Sequence, residues 1–155
     1  MTPIEFQDAL ATEIRYILKP YAYKTPAGER ASMNVFTQSI PVQQTDDEED
    51  PFPYVIVRLS SGENPLGKDS FNTVSVILII GIWDDAQDAQ GHRDVLNVVQ
   101  KIYERFSESP CLNKLAAYTG DFQWMLQEDN YYPYHFGACH MKFNIAAVRR
   151  EDPLA

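Results

Sequence analysis

The sequence predicts an α+β protein with a single mixed or antiparallel β-sheet of about five strands and two main helices. Apolar residues recur at helical spacing near the N-terminus and again between residues 95 and 106. Segments rich in β-branched and aromatic residues alternate with turns that contain Gly, Pro, Asn or Asp. The predicted order is α-β-β-β-α-β-β, and 155 residues fit one domain over 1–155.

Both helices are predicted from an apolar stripe and from their ends. The first covers residues 3–19, with Thr2 as N-cap and Pro20 as the residue that stops it. The second starts at Asp88 or Gly91 and ends before Pro110, because proline cannot continue a helix. The apolar stripe of this second helix consists of Val95, Leu96, Val99, Ile102, Tyr103 and Phe106.

The strands are predicted from short apolar runs that are bounded by turn residues. They cover Ser32–Ile40, Tyr54–Leu59, Phe71–Trp83, Asp121–Gln127 and Phe136–Val148. Residues 43–53 combine an acidic block with two prolines, so we expect a mobile loop there.

Alternation along the strands predicts which sheet faces are buried. In the strand 121–127, one face is expected to join the core through Phe122, Trp124 and Leu126. The strand that ends at Trp83 is apolar on both faces, with Ile77, Ile79 and Trp83 opposite Val76, Leu78, Ile80 and Ile82. Either the two helices cover opposite faces, or both cover one face and a neighbouring subunit covers the other. The second arrangement predicts an oligomer.

The charge distribution argues against binding to polyanions. The formal net charge is −9, and the block Asp46–Asp50 carries five of these negative charges. Such a chain has little cationic surface for neutralising phosphates or anionic lipids. We therefore expect no specific nucleic-acid binding and no membrane binding.

The N-terminal segment carries acidic residues within its amphipathic pattern, unlike a signal peptide, so a cytoplasmic location is expected. The longest apolar run, residues 74–83, is about half the length that a membrane-spanning helix needs. Cys111 and Cys139 form no C-x-x-C motif, and both are expected to be reduced and structural.

No catalytic motif stands out. Asp84, Asp85, Asp88 and His92 are the best acidic cluster for a metal-dependent hydrolase, but a turn followed by a helix start explains them too. His135, Cys139 and His140 resemble a zinc set, yet neighbours on a strand point to opposite faces. There is no G-x-S-x-G motif and no glycine-rich phosphate loop. We expect a protein that is not an enzyme and that uses no cofactor or metal.

Three segments of the chain together resemble a known family. They read "PFPYVIVRLSSGE", "VSVILIIGIWDDAQDAQGHRDVLNVVQKIYERF" and "FQWMLQEDNYYPYHFGACHMKFNIAAVRRE". They contain a strand that ends in an aromatic residue and an acid, a helix that starts with G-x-R-D, and a "YPYHFG" turn. This pattern resembles the tail terminator (tail completion) proteins of long-tailed bacteriophages and prophages, in the group related to minor tail protein U.

The resemblance implies a structural virion protein. Such a protein caps the tail tube, ends polymerisation of the tube protein and presents a joining surface to the head-tail connector. The implied assembly is a homo-oligomeric ring, expected to be a hexamer, at the head-proximal end of the tail, built in the host cytoplasm. A head-tail connector or neck protein is the alternative within the virion, and the metal-dependent hydrolase is the alternative outside it.

Interface residues are predicted from exposure of apolar and aromatic side chains. The doubly apolar strand supplies Ile77, Ile79 and Trp83, and the turn before the last strand supplies Tyr131, Tyr132 and Tyr134. The acidic residues Asp46, Asp47, Glu48, Glu49 and Asp50 are expected to be a solvated loop, a contact loop or a negative rim of the ring lumen. Facing the lumen, they would repel the phosphates of passing DNA.

Overall fold

A computed structural model describes residues 1–42, 50–66 and 71–147 of the chain. The element order confirms the α+β class and the two main helices. In chain order the elements are α1 (Pro3–Leu18), β1 (Tyr23–Lys24), β2 (Arg30–Ala31), β3 (Asn34–Thr37), β4 (Tyr54–Glu63), β5 (Asn72–Trp83), α2 (His92–Glu108), β6 (Cys111–Leu112), β7 (Ala116–Leu126) and β8 (Tyr134–Ile145).

The main sheet has six strands in the order β3-β4-β5-β8-β7-β6, and β1 pairs with β2 in a separate two-stranded sheet. β3 runs parallel to β4, and the other neighbours are antiparallel. The expected count of about five strands is low because β1, β2 and β6 are each two residues long. Strands of two residues are too short to produce an alternating pattern.

The start of α1 follows the expected capping chemistry, and of the two predicted starts of α2 the structure selects Gly91. The Thr2 hydroxyl accepts a hydrogen bond from the Glu5 amide at 3.1 Å, which confirms the predicted N-cap. At α2 the N-cap is Gly91, and Asp88 is not a cap. The Asp88 carboxylate instead accepts the amide of Gln90 at 3.2 Å, because a turn separates it from the helix.

Both helices pack on the same face of the sheet. Phe6 of α1 and Phe106 of α2 contact the ring of Phe143 on β8, with centroid distances of 4.9 Å and 5.3 Å. On β5 the side chains beneath the helices are all buried: Val74, Val76, Leu78, Ile80 and Ile82. Both helices therefore cover one face, as in the second of the two expected arrangements, and the opposite face receives no helix from the described residues. The neighbouring subunit of that arrangement stays a prediction.

The core prediction for β7 is wrong at its centre. Trp124 is 56% exposed, and Phe122 and Leu126 are half-buried. α2 lies above β5, β8 and β7, but β7 is near the sheet margin, so the helix covers it only in part. Phe122 still packs on Tyr103 of α2, at a centroid distance of 5.1 Å.

Candidate functional site

The candidate site is the sheet face that lies opposite both helices, which we call the uncovered face. The strand registers place alternate residues of four adjacent strands on it. Its main members are Tyr54, Ile56, Arg58, Thr73, Ser75, Ile77, Ile79, Gly81, Trp83, Phe136, Ala138, His140, Lys142, Asn144, Gln123 and Met125.

An apolar row crosses the uncovered face from strand to strand. Ile56 lies opposite Ile79, Ile79 opposite Ala138, and Ala138 opposite Met125. Exposure increases along this row, since Ile56 is 5% exposed, Ile79 and Ala138 are half-buried, and Met125 is 65% exposed. Covering half-buried aliphatic side chains with a second surface is favourable, because it removes apolar area from water.

The two ends of the uncovered face differ in chemistry. Beyond the apolar row, towards the start of β5, the face carries Arg58, His140 and Lys142 beside Ser75 and other polar residues. Arg58 and Lys142 are the basic residues of this half, and Glu63, which lies opposite Thr73, is an acidic residue on it. The face can therefore combine apolar contact at one end with polar and charged contacts at the other.

Aromatic side chains close the apolar end of the face. Phe52, two residues before β4, is the centre of this cluster. The centroid of its ring lies 4.9 Å from that of Tyr54, 4.9 Å from that of Tyr134 and 5.9 Å from that of Phe136. The Tyr54 ring lies directly on Gly81, where an added Cβ would come within 2.4 Å of a ring carbon. Burial, with a smaller effect of the Asp50 charge, raises the pKa of Tyr54.

The structure brings together four of the six predicted interface residues on this face. Ile77, Ile79 and Trp83 share the uncovered face of β5, and Trp83 lies opposite Tyr134. Tyr134 is 37% exposed. The half-buried state of the β5 side chains comes from their neighbours on β4 and β8.

The other two predicted residues lie on the turn before β8. Tyr131 is 52% exposed and bridges to Tyr134, and its ring packs 6.1 Å from Phe136. Tyr132 is 43% exposed and its hydroxyl donates to the carbonyl oxygen of Asp85. Tyr132 therefore holds the turn against the end of β5.

Sequence reasoning missed several members of this surface, notably Ile56, Met125 and Ala138. The alternation Tyr54, Ile56, Arg58 was a usable signal, since it separates these residues from Val55 and Val57. Phe52 had no such signal, because it precedes the strand and reaches the cluster only through the fold.

The acidic block lies mostly outside the described residues, which exclude Asp46, Asp47, Glu48 and Glu49. Asp50 is described, and its side chain is exposed. The Asp50 carboxylate accepts a hydrogen bond from the Phe52 amide at 3.0 Å. This contact places one acid of the block next to the aromatic cluster.

The residues proposed for a hydrolase do not converge. Asp84 accepts hydrogen bonds from Lys24 at 2.9 Å and from the Ala86 amide at 3.0 Å. Within the described ranges, no three His, Cys, Asp or Glu side chains are grouped so that they could share a metal ion. Cys139 is buried under the helices, where burial raises the pKa of its thiol to about 12, whereas His140 lies on the uncovered face.

Ion pairing at Asp84 has an electrostatic consequence. Burial alone would raise the pKa of Asp84, but the Ala86 amide and the Lys24 ammonium outweigh it and hold the pKa below 3.8. The same contact raises the pKa of Lys24. The pair fastens the β1–β2 hairpin to the end of β5.

The chain matches no family model, and a search of curated proteins finds no match to it. No helix among the described residues combines the length and the apolarity needed to cross a membrane.

Proposed function

We propose that this chain is a structural virion protein that caps the tail tube of a long-tailed phage or prophage. In this proposal it forms a homo-oligomeric ring, a hexamer, at the head-proximal end of the tail. One side of the ring binds the tail tube protein and ends its polymerisation, and the other side receives the head-tail connector. Assembly takes place in the host cytoplasm.

The observation that carries the proposal is the apolar row Ile56–Ile79–Ala138–Met125 on a face that receives no helix from the described chain. A sheet with one such face gains stability from a second layer, and a sister subunit can supply it. Repeated contact between different surfaces of identical subunits closes into a ring when the rotation permits. The sequence resemblance to tail terminators supplies the identity of the ring.

Tyrosine and phenylalanine support the choice of this face as an interface. Tyr131 and Tyr134 are exposed, and their rings pack on Phe136 and Phe52 of the aromatic cluster. Aromatic residues of this kind are enriched where proteins meet, because they bury a large area with few rotatable bonds. The aromatic end and the apolar row are continuous, so one contact can cover both.

The test uses purified protein and the tail tube protein of the same phage or prophage. We expect rings at tube ends by electron microscopy, together with shorter tubes when the protein is added before polymerisation. If the protein forms rings and binds to heads but leaves tube growth unchanged, this result would favour the connector or neck alternative.

The Ile79→Lys variant tests the face itself. A charged group in the middle of the apolar row should abolish both the ring and the arrest of tube growth, since burying an unpaired charge is costly. Thr73→Lys is the matched control, because Thr73 lies on the same strand and face at the polar end, opposite Asn144. Arrest of tube growth by Ile79→Lys at wild-type efficiency would contradict the proposal.

A further inference from the structure

The two edges of the six-stranded sheet are treated differently by the fold. At the β3 edge, the amides of Asn34 and Gln38 donate to Pro53 and Val57 on the β4 side. Alternation along a parallel strand therefore turns the Val35 and Thr37 carbonyls outward. Both carbonyls accept hydrogen bonds within the chain. The Val35 carbonyl accepts one from the Arg15 guanidinium at 3.0 Å, and the Thr37 carbonyl accepts one from the Ser39 amide at 2.8 Å.

The β7 edge is open for most of its length. β6 pairs only with Ala116 and Ala117, and the Tyr118 amide donates to the Pro110 carbonyl at 2.9 Å. In the described part of the chain no strand pairs with the outer side of residues 119–126. The Gln127 amide donates to Phe136 on β8 at 3.1 Å. Alternation along the antiparallel ladder then turns the backbone groups of Phe122, Trp124 and Leu126 outward.

The side chains at this edge suit a strand partner. Trp124 is 56% exposed on the helix side of the sheet, and Met125 is 65% exposed on the other side. Beside Trp124 a groove of about 480 Å³ runs between α2 and β7, lined by Leu96, Val99, Tyr103 and Phe122 among others. The segment Phe122–Leu126 contains no charged residue and no proline, the usual devices that protect an edge strand.

We propose that this edge pairs with the same edge of a second copy of the chain, antiparallel and centred on Trp124. The two-fold axis then places Trp124 opposite its counterpart and Phe122 opposite Leu126, all on the helix side of the sheet. The two sheets become one continuous sheet, and the Trp124 side chains fill the space between the two grooves.

Charge and geometry favour a second copy of the chain as the partner and Trp124 as the centre of the strand pairing. In this register Asp121 faces Gln127, Glu128 faces Gly120 and Asp129 faces Thr119, so no acid meets an acid although each copy carries a net charge of −9. A centre at Phe122 would run into the irregular register between Tyr118 and Phe122. A centre at Leu126 would run into the turn that precedes β8.

This dimer goes beyond the proposed ring, because it is formed by the outer backbone of β7 and the groove on the helix side, whereas the proposed ring interface lies on the uncovered face. A two-fold contact joins two subunits and does not itself close a ring of six. Failure of one proposal therefore leaves the other standing, and the two are separated by variants on different strands.

Sedimentation of the full chain over a wide concentration range tests the pairing. We expect a reversible species of twice the 17.7 kDa chain mass. Trp124→Lys should raise the dimer dissociation constant by roughly 30-fold or more, because it removes a central aromatic anchor and sets two ammonium groups opposite each other. Tyr16→Lys is the control, since it makes a similar exchange at an aromatic side chain of α1 that is 74% exposed.

Mixing Trp124→Lys with Trp124→Glu should restore dimers that neither variant forms alone, because lysine then faces glutamate. Ile79→Lys should leave the dimer unchanged. A wild-type chain that stays monomeric at every concentration, or a dimer that Trp124→Lys does not weaken, would overturn the proposal.

Amide hydrogen exchange of the wild type gives a readout that does not depend on any variant. The amides of Phe122, Trp124 and Leu126 should exchange slowly in the dimer and quickly on dilution, since the pairing occupies them. An assembly of any size in which these three amides exchange at the rate of exposed backbone would also overturn the pairing.

Discussion

The guanidinium Nε of Arg105 on α2 donates to the carboxylate of Glu13 on α1 at a distance of 2.7 Å. The contact joins residues that are 92 positions apart in the chain. It joins the two helices side by side above one face of the sheet, and the opposite face receives no helix from the residues that the structure describes.

Glu13→Gln should lower the free energy of unfolding by about 0.5–1 kcal/mol, since it removes the charge and keeps the shape of a partly exposed ion pair. Urea unfolding followed by circular dichroism measures this change. Asp8→Asn is the matched control, because it removes a charge from an exposed position on the same helix. Equal losses for the two variants would show that the contact with Arg105 contributes nothing.

Gly91→Ala should destabilise the fold by about 1–3 kcal/mol, a typical cost of overpacking a filled site. An added Cβ at Gly91 would come within 2.2 Å of the imidazole Cδ2 of His135, which is buried at 5% exposure. The backbone φ of Gly91 is −63°, so the cost arises from the clash and not from the backbone.

The double variant Gly91→Ala with His135→Ala separates the clash from other effects. Removing the ring makes room for the new methyl group, so the double variant should cost less than the sum of the single variants. Thermal unfolding of all four proteins gives the coupling. Additive costs would mean that the imidazole does not obstruct position 91.

The ion pair between Lys24 and Asp84 should make the free energy of unfolding depend on pH in the acid range. The folded pKa of Asp84 lies below its ordinary value of 3.8. The pair therefore stabilises the fold above that value, and its contribution is lost as the pH falls through the folded pKa.

Asp84→Asn should unfold at lower urea concentration than the wild type at pH 7, and the difference should shrink as the pH falls below 3.8. Asp85→Asn is the control, because the neighbouring side chain is exposed. A difference between wild type and Asp84→Asn that stays constant across the acid range would contradict the assignment.

Local chemistry made much of the fold predictable. Thr2 and Pro3 start α1, and the stripe that includes Val95 and Phe106 identifies the buried side of α2. On β8, Cys139, Met141 and Phe143 alternate with polar residues, and all three are buried on one face. These features depend on neighbours in the chain, which a single sequence displays directly.

The candidate site was predictable only in part. Ile77, Ile79 and Trp83 were identified because β5 is apolar on both faces, a local property. The row that joins Ile79 to Ile56, Ala138 and Met125 depends on strand order and register, and no local pattern specifies either. The exposure of Trp124 likewise depends on how far α2 reaches over β7.

The sequence by itself determined the class of the protein, the position of both helices and the existence of one strand with two apolar faces. Only the tertiary structure decided that both helices share a face and that, among the described residues, one sheet edge is occupied and the other is open over residues 119–126. The reason is physical: periodicity and capping are fixed by contacts within a few residues, whereas layer order and edge pairing are fixed by contacts between distant segments, such as Arg105 with Glu13 and Arg15 with Val35.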